Sequence, residues 1–351
     1  MGRCDRRIFN RARLAIRYLY HNMELGEQMK IIYISSGFPW PHNNIDYSII
    51  NGFLKLGQEI IAVDVKEVYN KEFYNVLNQF HPDFILTLHG LNLDINKVIE
   101  IKNMGYKIGV WLVDDPYEID NSIKYAINYD YIFNTERSVI DLYKKYVINS
   151  YYLPLGSNED VFNKTHDSRY YSDICIIGSA FQSRLDIIDE LYDIIVQYNV
   201  KIIGQWWEKL KCYDMIKNKV LSQIITDEEA ARYYSNSKIN LNIHRSFDDR
   251  TFDLNKSNLK AISPNNRTFD ISAAGGFQIV DYREDLERFY KIGEEVVVYD
   301  GIDDLINKIQ YYLKHDDERT KIAEKAYQRT LKEHLFTNRL GKMLEIVSKK
   351  S

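Results

Sequence analysis

The sequence predicts an α/β protein built from two doubly wound units, each a parallel sheet with helices on both faces. The chain has 351 residues, which is more than one hydrophobic core usually supports. Short β-branched runs alternate with segments of helical spacing, and this series occurs twice, on either side of a polar stretch at residues 164–172. Such alternation is typical of parallel strands connected by helices.

The first series accounts for residues 29–155, which we expect to form an N-terminal Rossmann-like domain. Each apolar run of strand length is followed by a segment with apolar residues three or four apart. Gly57, Pro82 and Gly105 end predicted helices. The predicted strands are residues 31–35, 59–63, 84–88, 108–113, 131–133 and 151–153, and the predicted helices are residues 45–56, 73–80, 93–104, 119–127 and 139–146.

The second series predicts a C-terminal Rossmann-like domain over residues 170–335. Thr226 and Glu229 have the spacing of a capping box, which predicts a helix beginning there. The other predicted helices are residues 182–197, 267–274, 302–313, 320–331 and 337–348, and the predicted strands are residues 173–177, 200–203, 238–243, 277–280 and 295–299.

Composition argues for a soluble cytoplasmic protein. With 46 basic and 50 acidic residues and a net charge of −4, the chain offers no electrostatic reason to bind nucleic acid. The three cysteines share no metal-ligand spacing, which indicates a reducing compartment. Residues 1–28 form a basic extension that interleaves six arginines with apolar residues. It is either an amphipathic helix in peripheral contact with the inner face of the membrane, or sequence upstream of a start at Met29.

The signature motifs of several enzyme classes are absent from this sequence. Neither first strand is followed by the GxGxxG of dinucleotide-binding enzymes, and the P-loop, GxSxG and HExxH patterns do not occur. These absences argue against a dehydrogenase, a P-loop enzyme, a serine hydrolase of the α/β type and a zinc protease.

The most specific segment is residues 265–281, which reads Asn-Asn-Arg-Thr-Phe-Asp-Ile-Ser-Ala-Ala-Gly-Gly-Phe-Gln-Ile-Val-Asp. It resembles the donor-site signature of the CgeB-like, spore maturation type glycosyltransferases, a variant of the signature of family 4 glycosyltransferases. Residues 111–116, Trp-Leu-Val-Asp-Asp-Pro, resemble a Trp-x-x-Asp-Asp-Pro element of the same family. The resemblance covers roughly residues 30–340.

The resemblance implies a GT-B fold, in which two Rossmann-like domains face each other across a cleft. The C-terminal domain would bind the nucleotide sugar and the N-terminal domain the acceptor, and a helix over residues 336–351 would pack back toward the N-terminal domain. It also implies a hexosyltransferase-like enzyme that retains the anomeric configuration and needs no metal.

The signature segment supplies candidates for donor binding. Arg267, at a predicted helix start, can donate two hydrogen bonds to a diphosphate. Asp270, one turn later, can accept from ribose hydroxyls, although the wider family has Glu there. Phe269 belongs to the same signature, and Gly275 and Gly276 end the helix where a ligand could approach closely.

Other donor candidates follow predicted strands. Gly178 and Ser179 come after the first strand of the second domain, where backbone N–H groups could cradle a phosphate, and Arg184 lies on the next helix. His244 and Arg245 follow another strand and could meet diphosphate or sugar oxygens. Each of these residues could equally serve packing or capping.

The candidates on the acceptor side are Asp114, Asp115 and His89, all at strand ends of the first domain. We expect one aspartate to bind or deprotonate an acceptor hydroxyl and His89 to bind a sugar hydroxyl. Paired carboxylates can bind metals, but we predict no metal site, since the resemblance implies that cationic side chains and helix dipoles stabilise the leaving diphosphate.

The sequence therefore predicts a glycosyltransferase that uses a nucleotide-diphosphate sugar, most simply a UDP-sugar, as its substrate and needs no cofactor. The acceptor is unidentified, and the family points to a glycan or protein of the cell or spore surface. Two alternatives stay open: a non-catalytic protein that binds nucleotide sugars or polysaccharides, and a nucleotide-sugar epimerase.

Overall fold

The computed structural model describes residues 28–39, 42–249 and 251–349, so residues 1–27 of the predicted basic extension lie outside the described residues. The chain divides into two compact units. The first comprises Met1–Leu155 and Phe336–Ser351, and the second comprises Gly156–Leu335. The predicted pair of doubly wound parallel sheets is confirmed.

The first unit contains a parallel sheet of six strands in the order β2-β1-β3-β4-β5-β6. Its central strands β3 and β4 are buried along their whole length, as expected for a sheet covered on both faces. The strands are β1 (Lys30–Ile34), β2 (Glu59–Val63), β3 (Phe84–Leu88), β4 (Ile108–Leu112), β5 (Tyr131–Asn134) and β6 (Ser150–Tyr152). The helices are α1 (His42–Lys55), α2 (Lys71–Phe80), α3 (Ile95–Asn103), α4 (Ile119–Ala126) and α5 (Ile140–Lys144).

The C-terminal helix, which runs from Phe336 to Ser348, belongs to this first unit. Its buried residues Phe336, Leu340, Met343 and Val347 recur at intervals of three or four and join the core of the first sheet. Helix α1 accommodates it through Gly52, where an added Cβ would lie only 2.5 Å from Cδ1 of Leu340.

The second unit contains another parallel sheet of six strands, in the order β12-β11-β10-β7-β8-β9. The strands are β7 (Ser172–Ile177), β8 (Val200–Ile203), β9 (Val220–Leu221), β10 (Ser237–Asn242), β11 (Gln278–Asp281) and β12 (Val297–Tyr299). The helices are α6 (Gln182–Glu190), α7 (Tyr192–Gln197), α8 (Tyr213–Ile216), α9 (Asp227–Asn236), α10 (Arg267–Ala273), α11 (Gly301–Tyr312) and α12 (Asp316–Glu333), and the C-terminal helix is α13 (Phe336–Ser348).

The second unit differs from the sequence prediction in detail. Residues 156–169, treated above as a connection, belong to this unit, because the Ser157 hydroxyl donates to Asp270 at 2.8 Å and Phe162 packs in the core beside Tyr234. The predicted helix at residues 182–197 is two helices, and the short strand β9 was missed. The predicted cap at Thr226 is confirmed, since its hydroxyl accepts from the Glu229 N–H at 3.2 Å. In the described part of the chain, no helix combines the length and apolarity needed to cross a membrane.

Candidate functional site

In the second unit, the strand order reverses between β7 and β10, which are neighbours in the sheet although two strands separate them in sequence. Parallel sheets of this kind bind ligands outside the carboxyl ends of their strands at such a switch point. Gly178 follows β7 there, and Ile243 to Arg245 follow β10.

Two guanidinium groups converge on Gly178. A Cβ added at this glycine would lie 2.7 Å from Nη2 of Arg267 and 3.1 Å from Nη1 of Arg184. The φ of Gly178 is +148°, in a region that residues with a side chain rarely adopt. The structure thus brings together three of the predicted donor-site residues, and a side chain at position 178 would require at least the Arg267 guanidinium to shift.

Arg184 is buried and connects the two strand ends at the switch point. Its Nε donates to the carbonyl of Ile243 at 2.8 Å, and its Nη1 donates to the carbonyl of Ser179 at 2.7 Å. These two bonds to carbonyl groups hold the guanidinium in place between the two strand ends. Arg184 therefore supplies fixed positive charge beside Gly178.

Arg267, at the first position of α10, is oriented by a polar network that the sequence analysis missed. Its Nη1 donates to Oδ1 of Asn242 at 3.2 Å. The Asn242 amide in turn donates to Oγ1 of Thr268 at 3.0 Å and to Oε1 of Gln278 at 3.2 Å. Asn242 is fully buried, so its bonds fix the start of α10 against β10 and β11.

Hydrogen bonds hold the loop after β7 and occupy the N–H of Gly178, one of the two residues of the predicted backbone cradle. The Gly178 N–H donates to the carbonyl of Ile203 at 2.9 Å, and the Ala180 N–H donates to the carbonyl of Gln205 at 2.9 Å. The indole N–H of Trp207 donates to the Gly178 carbonyl at 2.9 Å. Gly178 therefore gives space to the guanidiniums instead of an N–H to a ligand, and the contact seen for Ser179 is its carbonyl, which orients Arg184.

His244 has a structural role that the sequence did not reveal. Its Nδ1 lies 2.8 Å from Oδ1 of Asp281, and its Nε2 accepts from the Asn265 N–H at 3.0 Å. Burial lowers the pKa of His244, although Asp281 acts in the opposite direction. A neutral ring that donates to Asp281 and accepts from Asn265 satisfies both contacts. His244 thus positions the segment before α10, and its ring nitrogens do not face a diphosphate as predicted.

Arg245 lies at the rim of the same region. Its guanidinium carbon is 4.4 Å from the centre of the Phe181 ring, and Nη2 is 3.4 Å from Oδ1 of Asp249. The guanidinium carbon of Arg184 is 5.4 Å from the same ring. Phe181 thus contacts both arginines, and the Asp249 carboxylate partly offsets the charge of Arg245.

Asp270 is buried, and both of its carboxylate oxygens accept hydrogen bonds within the unit. Oδ1 accepts from the hydroxyl of Ser157 at 2.8 Å, and Oδ2 accepts from the amide of Asn266 at 2.8 Å. Burial, reinforced by the charge of Asp227, raises the pKa of Asp270 well above its ordinary value, although the bonds from Ser157 and Asn266 act in the opposite direction. Each of these oxygens keeps a second lone pair, so a ribose hydroxyl could either add to these partners or replace one of them.

Three predicted donor residues face protein atoms instead of a ligand. Phe269 is fully buried, with its ring centre 5.3 Å from that of Phe289 and 5.4 Å from that of His334. A Cβ at Gly275 would lie 2.6 Å from the Lys164 side chain, and one at Gly276 would lie 2.7 Å from the Tyr234 carbonyl. These glycines permit close packing at the end of α10, and Phe269 belongs to the core.

In the first unit, the strand order reverses between β1 and β3. His89 follows β3 with a φ of +65°, which is unusual for a residue with a side chain. Its Nε2 lies 3.2 Å from Oδ2 of Asp114, and Nε2 of His42 lies 3.3 Å from the same oxygen. The sequence analysis predicted His89 and Asp114 but missed His42, which begins α1.

Asp114 and His89 each shift the pKa of the other. Burial raises the pKa of Asp114, but the hydrogen bonds and charges of His42 and His89 outweigh it and hold the pKa well below its ordinary value. Burial lowers the pKa of His89, but Asp114 outweighs it, with help from Glu118, and the pKa is raised. Nε2 of each imidazole and one oxygen of Asp114 lie within 4.8 Å of one another, so these residues could hold a metal ion.

Asp115 differs from Asp114 although the two are adjacent. It is buried, and its Oδ2 accepts from the amide of Asn134 at 2.7 Å and from the hydroxyl of Tyr143 at 2.7 Å. Burial raises its pKa, although these bonds act in the opposite direction. Asp115 connects the end of β4 to β5 and α5, so the predicted catalytic role does not fit its position.

Comparison with known proteins shows what this chain is similar to in sequence and in fold. Residues 184–345 match the family model described as glycosyl transferase-like. The spore protein CgeB of Bacillus subtilis (strain 168) is 28% identical over 323 residues, which cover 91% of this chain and 98% of CgeB. The resemblance predicted from residues 111–116 and 265–281 is confirmed.

Solved structures match over nearly the whole chain. Sucrose-phosphate synthase from Thermosynechococcus elongatus matches with a TM-score of 0.63 and 11% identity, over 92% of this chain and 100% of the other. HepE of Anabaena in complex with UDP-glucose matches with a TM-score of 0.59 and 11% identity, over 92% of this chain and 100% of HepE. Identities this low establish the fold alone, and the predicted GT-B fold is confirmed.

Proposed function

We propose that this homologue of CgeB, whose residues 184–345 match the glycosyl transferase-like family, transfers a sugar from a nucleoside-diphosphate sugar to an acceptor hydroxyl. The observation that carries the proposal is the convergence of Arg184 and Arg267 on Gly178 at the switch point of the second unit. That arrangement matches the charge of a diphosphate at the place where such sheets bind ligands.

The reaction asks for stabilisation of a leaving diphosphate. The bond between the anomeric carbon and the diphosphate oxygen breaks, and the bond between that carbon and the acceptor oxygen forms. Negative charge grows on the diphosphate as it leaves, and two preorganised guanidiniums stabilise that charge without a metal ion at the phosphates. We propose retention of configuration, with the acceptor proton passing to a donor phosphate oxygen.

We infer that the nucleotide is UDP, since HepE, which shares the fold, was solved in complex with UDP-glucose. The ribose would lie along α10, where the carboxylate of Asp270 accepts a hydrogen bond from the amide of Asn266. Asn266 is the exchangeable partner, because it is half-buried whereas Ser157, on the other carboxylate oxygen, is fully buried. Asp270 would then accept a ribose hydroxyl in place of the amide.

The acceptor would bind to the first unit, beside His89 and Asp114. These side chains follow β3 and β4, next to the point where that sheet reverses its strand order. The half-exposed carboxylate of Asp114 suits a sugar hydroxyl or another alcohol. A surface glycan or surface protein is the acceptor class that fits the relationship to a spore protein.

The test is a panel of UDP-, GDP- and dTDP-sugars offered to the full chain, with two measurements. Binding is measured as the rise in melting temperature, and turnover as release of free nucleotide. The comparison is between Arg267→Ala and Arg232→Ala, a matched loss of one exposed arginine from the same unit. We expect binding of a UDP-sugar and slow nucleotide release in the wild type and in Arg232→Ala, and a strong reduction of both in Arg267→Ala.

Two other results would change the conclusion. Tight binding without nucleotide release, even with candidate acceptors, would support a non-catalytic nucleotide-sugar-binding protein. Conversion of the donor into a second nucleotide sugar without acceptor would support an epimerase. Equal behaviour of Arg267→Ala and Arg232→Ala would contradict the assignment of Arg267 to the donor site.

A further inference from the structure

We propose that His42, His89 and Asp114 form a binding site for a first-row divalent cation, with Zn²⁺ the best fit, at the switch point of the first unit. The sequence analysis predicted no metal, and the proposal rests on geometry that became visible only when α1, β3 and β4 came together. Cation binding by these residues does not depend on the proposed function.

The distances suit a metal with nitrogen and oxygen ligands. Oδ2 of Asp114 lies 3.3 Å from Nε2 of His42 and 3.2 Å from Nε2 of His89. Zinc binds imidazole nitrogen and carboxylate oxygen at about 2.0–2.2 Å, which places neighbouring ligand atoms roughly 3.0–3.5 Å apart. One nitrogen of each imidazole and one oxygen of Asp114 all lie within 4.8 Å of one another, so the three ligands surround one common point.

The donor set has the right chemistry for a transition metal. Two imidazoles and one carboxylate select zinc, iron or a similar divalent ion over calcium and magnesium, which prefer oxygen ligands. As a hydrogen-bonded cluster, both imidazoles must donate a proton to the same carboxylate oxygen. A cation would take the place of both protons and would be bound by one lone pair from each of the two Nε2 atoms and one from Oδ2. Three protein ligands also leave a coordination position open, as in catalytic zinc sites.

The backbone places the ligands with some strain. His89 and Gly90 both have positive φ, at +65° and +86°, and the His89 N–H donates to the Trp111 carbonyl at 2.8 Å. A positive φ at a residue with a side chain is strained and is found preferentially at functional sites. The ring of Phe38 packs on both imidazoles, with centres 5.0 Å from His42 and 4.8 Å from His89, and limits their rotation.

A further carboxylate lies within reach. Oε2 of Glu118 is 3.9 Å from Nε2 of His89, close enough to approach a cation held by the other three residues. If glycosyl transfer is the function, as proposed above, a cation here would bind the acceptor hydroxyl at its open position. It would lower the pKa of that hydroxyl and so assist its deprotonation. Asp114 would then be a ligand instead of a base.

The experiment measures metal content, not activity. Untagged protein is stripped of metal with a chelator, equilibrated with Zn²⁺ and freed of unbound metal. The bound zinc per chain is then measured by elemental mass spectrometry. The same procedure is applied to His42→Ala, Asp114→Asn and the control His166→Ala, which removes an exposed histidine of the second unit. Co²⁺ replaces Zn²⁺ in a parallel sample, so that visible absorption reports the coordination. Circular dichroism confirms that each variant is folded.

We expect about one equivalent of Zn²⁺ per chain in the wild type and in His166→Ala, and at least tenfold less bound Zn²⁺ in His42→Ala and Asp114→Asn, since each variant lacks a ligand. The Co²⁺ protein should show visible bands that His42→Ala removes. Zinc far below one equivalent in the wild type, or stoichiometric zinc retained in both site variants, would overturn the proposal. UDP binding is scored separately on the same samples, so failure of the metal site and failure of the donor site are distinguishable.

Discussion

Gly178→Ala is the most informative single substitution in the second unit. The added Cβ would lie 2.7 Å from Nη2 of Arg267 and 3.1 Å from Nη1 of Arg184, and the first distance is shorter than real contacts allow. At least the Arg267 guanidinium must move away. The φ of +148° adds backbone strain of about 1–3 kcal/mol, so the variant should also be less stable.

The expected effect on binding follows from the displaced charge. A hydrogen bond to a charged group contributes about 1.5–3 kcal/mol, which corresponds to a roughly 10- to 150-fold weaker Kd for UDP. The matched control is Gly293→Ala, since Gly293 also has a positive φ, at +81°, but an added Cβ there meets no atom within 4 Å. Gly293→Ala should lose stability to a similar extent and keep its affinity for UDP.

Isothermal titration calorimetry with UDP measures the affinity, and urea denaturation measures the stability. A second test uses the Arg267→Ala background, in which Gly178→Ala should cost much less affinity because the group it displaces is already gone. The reasoning would be refuted if folded Gly178→Ala bound UDP as tightly as Gly293→Ala. It would also be refuted if the two substitutions in the Gly178 site were additive.

Three further predictions concern positioning and stability. Burial raises the pKa of Asp281, but the hydrogen bonds from His244 and the charge of Arg283 outweigh it and hold the pKa at about 2, so Asp281→Asn should lower the free energy of unfolding by about 2 kcal/mol at pH 7. Because the lowered pKa stabilises the fold only above the unfolded value, this difference should shrink as the pH falls from 4 toward 2; a constant difference in urea denaturation would contradict it. Leu340→Ala should destabilise the first unit by about 2–5 kcal/mol, whereas Lys342→Ala, exposed on the same helix, should change little in the same denaturation assay. Asn242→Ala should cost about 1–3 kcal/mol of stability and weaken UDP binding roughly tenfold by calorimetry, and unchanged affinity would show that the network does not orient the site.

The sequence predicted what is encoded locally. Apolar periodicity was sufficient to predict two parallel sheets, and the segment around Arg267 was sufficient to predict a helix that starts at this arginine. Asp114 and His89 were also predicted, because carboxyl ends of parallel strands meet at one edge of a sheet.

The polar network around Arg267 could not be predicted, because its members come from separate elements. Asn242 ends β10, Thr268 lies on α10 and Gln278 begins β11. Nothing in the spacing of these residues indicates that the buried amide of Asn242 contacts Arg267, Thr268 and Gln278. His244 was misjudged for the same reason, since its two partners, Asp281 and Asn265, lie 37 and 21 residues away.

The helix around Arg267 shows how a motif can mislead about individual side chains. Successive residues of a helix are about 100° apart, so Phe269 points away from the face that carries Arg267 and into the core. Gly275 was assigned to the ligand because glycine permits close approach, but the group that approaches is the side chain of Lys164. A glycine indicates that something lies close, and only the fold shows what it is.

A crystal structure of the full chain with UDP tests the central claim most directly. We predict that diphosphate oxygens lie within hydrogen-bonding distance of the guanidiniums of Arg184 and Arg267, beside Gly178. A contradictory result would be UDP at the opposite edge of the same sheet, where Lys164, Lys238 and Arg319 line a cavity of about 410 Å³. Diphosphate bound there, with the Gly178 region untouched, would show that the two convergent arginines serve the fold and not the donor.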